Sequence, residues 1–481
     1  MRKLMRASCS IIVAGVAAAA APVFAQQGEP DSAAIAPRVD SVFAEYDRTD
    51  SPGCALGVIR DGELIYARGY GMANLDLGVA ISPASVFRIG STSKQFTAAA
   101  VVLAAQQADL SLDDDIREYL PELPDYGTTI TIRDLLHHTS GIRDYLGLMR
   151  LAGLRDDDWY TDAEVVAMLA RQKATNFEPG SEHLYSNSGY FLISQIIKRA
   201  TGLTLREYAH QHIFRPLGMT HTHFHDDHNE VVPNRASGYA PASGGGFRVS
   251  MTSLDMVGDG GVFTTIEDLL LWDRNFYEPR VGGEAFLRTM LQRGVLTGGD
   301  TLDYALGLSH GSYRGLASVR HGGAFVGFRA EMIRFPEQRF SVVCLCNLAA
   351  ANPSRLADRV SDVYLADVLG PVEEGAGRGG RRSESEAAEG PEYGAAELAA
   401  FAGTYRSEEL DSDYRIFLEG GELKVRRGRA DPISLQPTSA DEFRLEGARL
   451  TFERDDRGRP ASFVLDAGRV RGIRFVRVFG E

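Results

Sequence analysis

The chain carries the run Phe87-Arg88-Ile89-Gly90-Ser91-Thr92-Ser93-Lys94, followed by Gln95-Phe96-Thr97 and three alanines. This reads as a turn passing into a helix. Residues three apart on a helix share a face, so Ser91 and Lys94 stand side by side at the helix N-terminus. A serine hydroxyl is a weak nucleophile until a neighbouring base takes its proton. A lysine amine takes it when desolvation or nearby positive charge lowers its pKa; arginine, which keeps its proton, does not. The chain holds five lysines (Lys3, Lys94, Lys173, Lys198, Lys424), and arginine supplies nearly all its other positive charge. A lysine beside a serine is therefore a selective placement. By itself, though, Ser-x-x-Lys equally describes a solvated helix face.

Two further stretches hold chemistry-bearing residues. Glu178 to Tyr190 forms a loop containing Tyr185-Ser186-Asn187 that leads into an amphipathic helix. Arg320-His321-Gly322-Gly323-Ala324 ends one late strand just before the next. The elements around them follow a recognisable order. Apolar residues at helical spacing (Ile35, Val39, Val42, Phe43, Tyr46) open the chain, and a hairpin follows, Cys54 to Arg60 and Glu63 to Ala67, turned by Asp61-Gly62. Thr161 with Glu164, Thr204 with Glu207 and Thr264 with Glu267 read as capping boxes opening helices in the middle. Strands return at Ala317 to His321, Val326 to Arg334 and Phe340 to Cys346, and a helix runs from about Pro353 to Leu369. Strands at both ends with helices between them predict an antiparallel sheet with a helical region packed on it.

Ser91-Thr-Ser-Lys94, Tyr185-Ser-Asn187 and His321-Gly-Gly323, in that order, resemble the class C β-lactamase and DD-carboxypeptidase family of serine hydrolases, which also contains esterases and D-aminopeptidases. Leu135-Leu-His-His-Thr-Ser-Gly141, Pro216-Leu-Gly-Met219 and Gly258-Asp-Gly-Gly261 add to the likeness, which covers roughly residues 30 to 370. The resemblance implies an α/β (α+β) fold of the β-lactamase/transpeptidase type: an antiparallel sheet with flanking helices and a helical subdomain. It implies Ser91, Lys94 and Tyr185 as catalytic residues, with Lys94 and the Tyr185 phenol sharing the proton traffic of an acyl-enzyme reaction. Asn187 then holds substrate or orients Lys94, His321 and Gly323 line the site, and the amides of Ser91 and Ala324 form an oxyanion hole. The implied reaction is cleavage of an amide or ester, on a D-amino-acid peptide or an ester. The alternative is a β-lactamase, or a penicillin-binding sensor that acylates with slow turnover. His321 stands where β-lactamases usually carry lysine. Near its reference pKa of about 6.5 it is only partly charged at neutral pH, which counts against efficient β-lactam hydrolysis.

The remaining features bound the reading. Residues 1–25 read as a signal peptide: Arg2, Lys3 and Arg6, an apolar stretch from Ile11 to Ala21, and Val23-Phe-Ala25 before the cut. That predicts a periplasmic or secreted protein with no stable membrane insertion after cleavage. The domain of 26–370 is followed by a Gly-, Glu- and Arg-rich linker, 371–394. Residues 395–481 then form a small β-sandwich or barrel of short strands, from Phe401-Ala-Gly-Thr-Tyr405 to Ile473–Val478. A formal net charge of −14 argues against nucleic-acid partners. The expected partners are a small-molecule or peptide substrate and cell-wall components. No motif asks for a cofactor. His221, His223 and His225 alternate, followed by Asp226, Asp227 and His228, a pattern that zinc accepts, but they read as exposed loop histidines, so no metal site is assigned. Cys54, Cys344 and Cys346 read as buried apolar packing, with a bridge from Cys54 to one of the other two as the alternative.

Overall fold

The computed structural model describes residues 32–155, 157–371, 391, 393–428 and 431–478. The signal-peptide reading and nearly all of the linker reading lie outside the described residues. Among the described residues, no helix is long and apolar enough to cross a membrane.

A six-stranded antiparallel sheet organises the first part of the chain. Its strands are β1 (Cys54–Arg60), β2 (Glu63–Tyr70), β3 (Ser309–Tyr313), β4 (Leu316–Phe325), β5 (Phe328–Phe335) and β6 (Phe340–Cys346), in the order β3-β4-β5-β6-β1-β2. The turn between β1 and β2 takes positive φ at both Asp61 (50°) and Gly62 (78°), the two-residue geometry that the Asp-Gly pair favours. Strand alternation splits the apolar residues between two cores. Leu56 and Val58 of β1 and Val342 and Cys344 of β6 face helices α1 (Ser32–Val42) and the late helix Pro353–Tyr364. Ala55, Ile59, Val343 and Leu345 face the helical region on the other side. Helices therefore cover both faces, because α1 and the late helix bury the face opposite the large helical region.

Within that region α2 (Lys94–Gln106) is buried from Lys94 through Ala104. Its alanines present no bulk on any side, so neighbouring elements close around it. The Thr161–Glu164 and Thr204–Glu207 capping boxes both form. The third is displaced by one residue: Thr265 caps the helix Ile266–Arg274 by accepting from the Asp268 amide. Thr264 instead ends the strand Val262–Thr264, opposite Phe87, and hydrogen-bonds Thr222.

The cysteines follow the bridged alternative. Cys54 and Cys346 sit directly opposite each other in the β1–β6 register and form a disulfide, and Cys344 remains a buried thiol.

The C-terminal part is a nine-stranded antiparallel sheet around a barrel-like aromatic core. Phe463 and Phe475 stack at 4.6 Å, with Tyr405, Tyr414, Phe443 and Phe452 close by. Phe401, read from sequence as the start of a strand, ends the helix Ala395–Phe401 instead, and the strand begins at Gly403. The alanine-rich approach favours helix there, and Phe401 caps the aromatic core, 4.8 Å from Phe443 and 4.9 Å from Phe452.

This sheet docks on the helical region through buried polar contacts. Arg143 pairs with Glu409 at 2.5 Å, both side chains almost fully buried, and donates to the Arg471 carbonyl at 2.9 Å. Tyr414 donates to the Leu151 carbonyl at 2.8 Å. The turn between the last two strands, Pro460–Ala467 and Val470–Val478, docks there too. There the Arg469 carbonyl accepts from the Asn176 side chain at 2.9 Å, and Arg471 N–H donates back to Asn176 at 2.8 Å.

Candidate active site

A 3₁₀ turn, Gly90–Ser93, leads directly into α2 and places Ser91 at the mouth of a cleft of about 1110 Å³. Lys94, one turn on, is completely buried. Its Nζ stands 3.3 Å from Ser91 Oγ, 2.9 Å from Asn187 Oδ1 and 2.5 Å from the Asp259 carbonyl oxygen. An uncharged amine has two N–H bonds and one lone pair. Asn187 Oδ1 and the Asp259 carbonyl accept two of the Lys94 N–H bonds, and Ser91 Oγ accepts the third. An amine that gives up that third proton turns its lone pair toward Ser91.

Asn187 is itself held. Its backbone N–H and its side-chain Nδ2 both donate to Asp144 Oδ2, at 2.7 and 2.8 Å. The amide oxygen is thereby turned toward Lys94. Asp144 also caps the helix Tyr145–Ala152 through the Gly147 amide. Sequence reasoning did not single out Asp144. Its place just before an apolar helical run marks an N-cap, but nothing local ties it to Asn187.

The edge of β4 passes against the Ser91 turn. Thr92 Oγ1 donates to the His321 carbonyl at 3.3 Å. A Cβ added at Gly323 would lie 1.9 Å from the Ile89 carbonyl oxygen, and one at Gly90, where φ is +52°, would lie 2.8 Å from the Ala324 nitrogen. Both glycines are demanded by this contact, and the contact brings the Ala324 backbone beside Ser91.

Tyr185 comes to the same place without completing a hydrogen bond. Its ring centre is 4.8 Å from Lys94 Nζ, and its hydroxyl is buried with no partner among the described residues. The ring packs 4.2 Å from that of His138, whose Nδ1 accepts the Ser186 N–H at 3.2 Å. His138 thus fixes the backbone beside Tyr185 as well. Arg469 from the C-terminal sheet also lies over the Tyr185 ring, 4.6 Å from its centre.

His321 is buried, and burial together with the Lys94 charge pulls its pKa down to about 4. Its Nδ1 donates to the Gly322 carbonyl at 2.6 Å, and its Nε2 then accepts from the Tyr304 hydroxyl at 3.2 Å. The ring is neutral at pH 7, a correction to the partial charge expected from a reference histidine. Because the folded pKa lies below the unfolded value near 6.5, the stability tied to the neutral ring is complete above pH 6.5 and is lost as pH falls through 4. A shift of that size corresponds to roughly 3 kcal/mol. Urea melts at pH 7 and pH 4 should show the wild type losing about 3 kcal/mol more than His321→Gln over this range. Equal losses would contradict a neutral buried ring.

The histidine cluster is neither wholly exposed nor a loop. His223 lies on the strand His223–Phe224, and His225 is buried against Phe263. Ligand atoms of His223, His225 and Glu230 lie within 4.8 Å of one another, the one histidine-containing metal-like grouping among the described residues. Arg206, however, binds both Glu230 oxygens at 2.7 Å, which competes directly with a cation. His221 stands apart, half-exposed, 3.9 Å from Asp268.

The Beta-lactamase family model matches residues 39–366, more than half of the chain. The chain belongs to the Beta-lactamase family. It is a serine hydrolase of that family. It is 28% identical over 386 residues to a D-aminopeptidase of Gluconobacter oxydans (strain 621H), covering 80% of this chain and 69% of that one. A D-aminopeptidase of Cereibacter sphaeroides (strain ATCC 17023) is 29% identical over 319 residues, covering 66% of this chain and 60% of that protein's length. Among solved structures, the octameric penicillin-binding protein homologue from Pyrococcus abyssi superposes with a TM-score of 0.62 at 23% identity, covering 93% of this chain and all of the other. That likeness extends the shared fold beyond the hydrolase domain.

Proposed function

We propose that this member of the Beta-lactamase family is an exported hydrolase that cleaves an amide or ester through an acyl-enzyme on Ser91, with D-amino-acid peptides or amides as the preferred class. The observation that carries the reading is the Lys94 cage, which holds the amine 3.3 Å from Ser91 Oγ between two fixed acceptors. Lys94 receives the serine proton as the hydroxyl attacks the carbonyl. The developing oxyanion is received by the Ser91 and Ala324 amides, and fixed donors of that kind contribute about 3 kcal/mol each. Tyr185, whose hydroxyl has no partner among the described residues, passes the proton to the leaving group, and a water repeats the cycle to release the acid. The two D-aminopeptidase relatives support the D-residue preference. The neutral His321 counts against β-lactam turnover, since it offers no cation to the substrate carboxylate. Export rests on the N-terminal pattern of residues 1–25, and cell-wall peptides are the natural source of D-residues outside the cytoplasm.

A panel of D- and L-aminoacyl p-nitroanilides, p-nitrophenyl acetate and a chromogenic cephalosporin tests this. We expect the D-anilides to be cleaved at least tenfold faster than their L-counterparts and the cephalosporin to be turned over slowest. An L-preference or rapid cephalosporin turnover would refute the substrate assignment.

A further inference from the structure

Four arginines are buried among the described residues: Arg88, Arg143, Arg334 and Arg427. Three have a carboxylate partner, Arg143 with Glu409 at 2.5 Å, Arg334 with Asp273 at 2.6 Å and Arg427 with Glu446 at 2.9 Å. The Arg88 side chain makes neither a hydrogen bond nor an ion pair with any described residue, and its Nε is buried without a partner. Its guanidinium rests between Phe325, at 5.1 Å, and Phe263, at 6.0 Å. A buried charge without a counter-charge is costly and is normally found paired.

The carboxyls whose fields reach Arg88, those of Asp259 and Asp255, are both engaged elsewhere. Asp259 accepts from the Tyr145 hydroxyl at 3.2 Å, and burial raises its pKa to about 6. Asp255 accepts from His228 at 2.7 and 2.9 Å and from Trp159 at 3.0 Å.

Arg88 lines the cleft that holds Ser91, three residues away in sequence. Arg150, Arg329 and Arg469 line it too, and Asp259 is the single acid among its lining residues. Arg329 gives its hydrogen bonds to backbone carbonyls, those of Val326 and Phe328. A chain of net charge −14 therefore presents an electropositive cleft. Fields of one sign in a low-dielectric cleft gather ligands of the other. The neutral His321 removes the usual cation from the third motif, so charge recognition falls to arginine.

We propose that Arg88, aided by Arg329 and Arg469 across the cleft, is the binding site for an anionic group of the substrate, a carboxylate or another oxyanion, and so selects for acidic substrates. This rests on the proposed hydrolase reading of Ser91. Within that reading, it narrows the substrate to a D-amino-acid peptide or amide that carries a negative charge.

Two isosteric pairs test it in the full-length protein: D-alanyl-glycine against D-alanyl-glycinamide, and N-succinyl- against N-succinamoyl-D-alanine p-nitroanilide. The first places the carboxylate on the leaving part and the second on the acyl part. We expect kcat/KM to favour the anionic member of at least one pair by about tenfold or more, with the preference shrinking as NaCl rises. Arg88→Met keeps the apolar stem against Phe325 and should reduce the preference toward unity; Arg469→Ala, at a half-exposed side chain, should reduce it in part. D-alanyl-aminomethylphosphonate in place of D-alanyl-glycine distinguishes a site for carboxylate from one for phosphate-like groups, whichever is faster. Equal rates within both pairs in the wild type would overturn the proposal whether or not Arg88→Met folds. So would an undiminished preference in a folded Arg88→Met. Absence of hydrolysis of every substrate, with no acylation of Ser91 by a fluorophosphonate, is a different failure and defeats the hydrolase reading itself.

Discussion

Ser91→Ala is expected to lower kcat by roughly 10⁴- to 10⁶-fold on every substrate, while the protein stays folded. The change deletes one partly exposed oxygen at the cleft mouth, leaves the 3₁₀ turn free to form, and removes the atom that would carry the acyl group. Intact-mass spectrometry after a fluorophosphonate should show one adduct on the wild type, mapped to Ser91, and none on the variant. Residual turnover reports what the oxyanion donors and substrate positioning achieve without a nucleophile. An adduct on another residue of the wild type, or a loss below tenfold, would remove Ser91 from the mechanism.

The second large effect lies one helical turn on. Lys94→Met should cost roughly 10³- to 10⁴-fold in kcat, the upper end of what a positioned base contributes. Lys94→Arg should do no better, because a guanidinium keeps the charge but does not accept the proton. That pair separates a base from a mere positive charge. Adding Lys94→Met to Ser91→Ala should cost almost nothing further, because the two act as a unit. The lysine also satisfies Asn187 Oδ1 and the Asp259 carbonyl, so Lys94→Met leaves two buried acceptors unmet and should be destabilised by roughly 1–3 kcal/mol. If Lys94→Arg retained most of the activity, proton transfer would have to be assigned elsewhere.

How much of this was legible in the chain depends on how local each feature is. Ser91 and Lys94 are related by a single helical turn, and the hairpin turn at Asp61-Gly62 by two residues, so short-range rules suffice. The three motif segments signal one another only through family resemblance, and the structure brings Lys94 and Asn187 to 2.9 Å. Features set by tertiary register were hidden. The bridge between Cys54 and Cys346, rather than Cys344, is decided by which residues face each other across β1 and β6. The neutral state of His321 follows from burial that no sequence window contains. Arg469 gave no hint at all, because its importance arises from a docking surface on a different sheet. The slip from Thr264 to Thr265 as helix cap shows the opposite lesson: adjacent threonines are equivalent on paper, and strand pairing with Phe87 decides between them.

The central sheet has a consequence for how the molecule comes into being. β1 lies between β2 and β6, and the Cys54–Cys346 covalent link joins its first residue to the last of β6. During synthesis one flank of β1 must stay open until residue 346 has been made. Ser91 and His321 come to line the same cleft only after that gap is filled. Long-range closure of this kind is slow and leaves strand edges exposed in the meantime. A fragment ending between α2 and β6 would therefore carry the nucleophile and its base yet lack the strand that joins β4 and β5 to β1, and its open strand edge would invite aggregation.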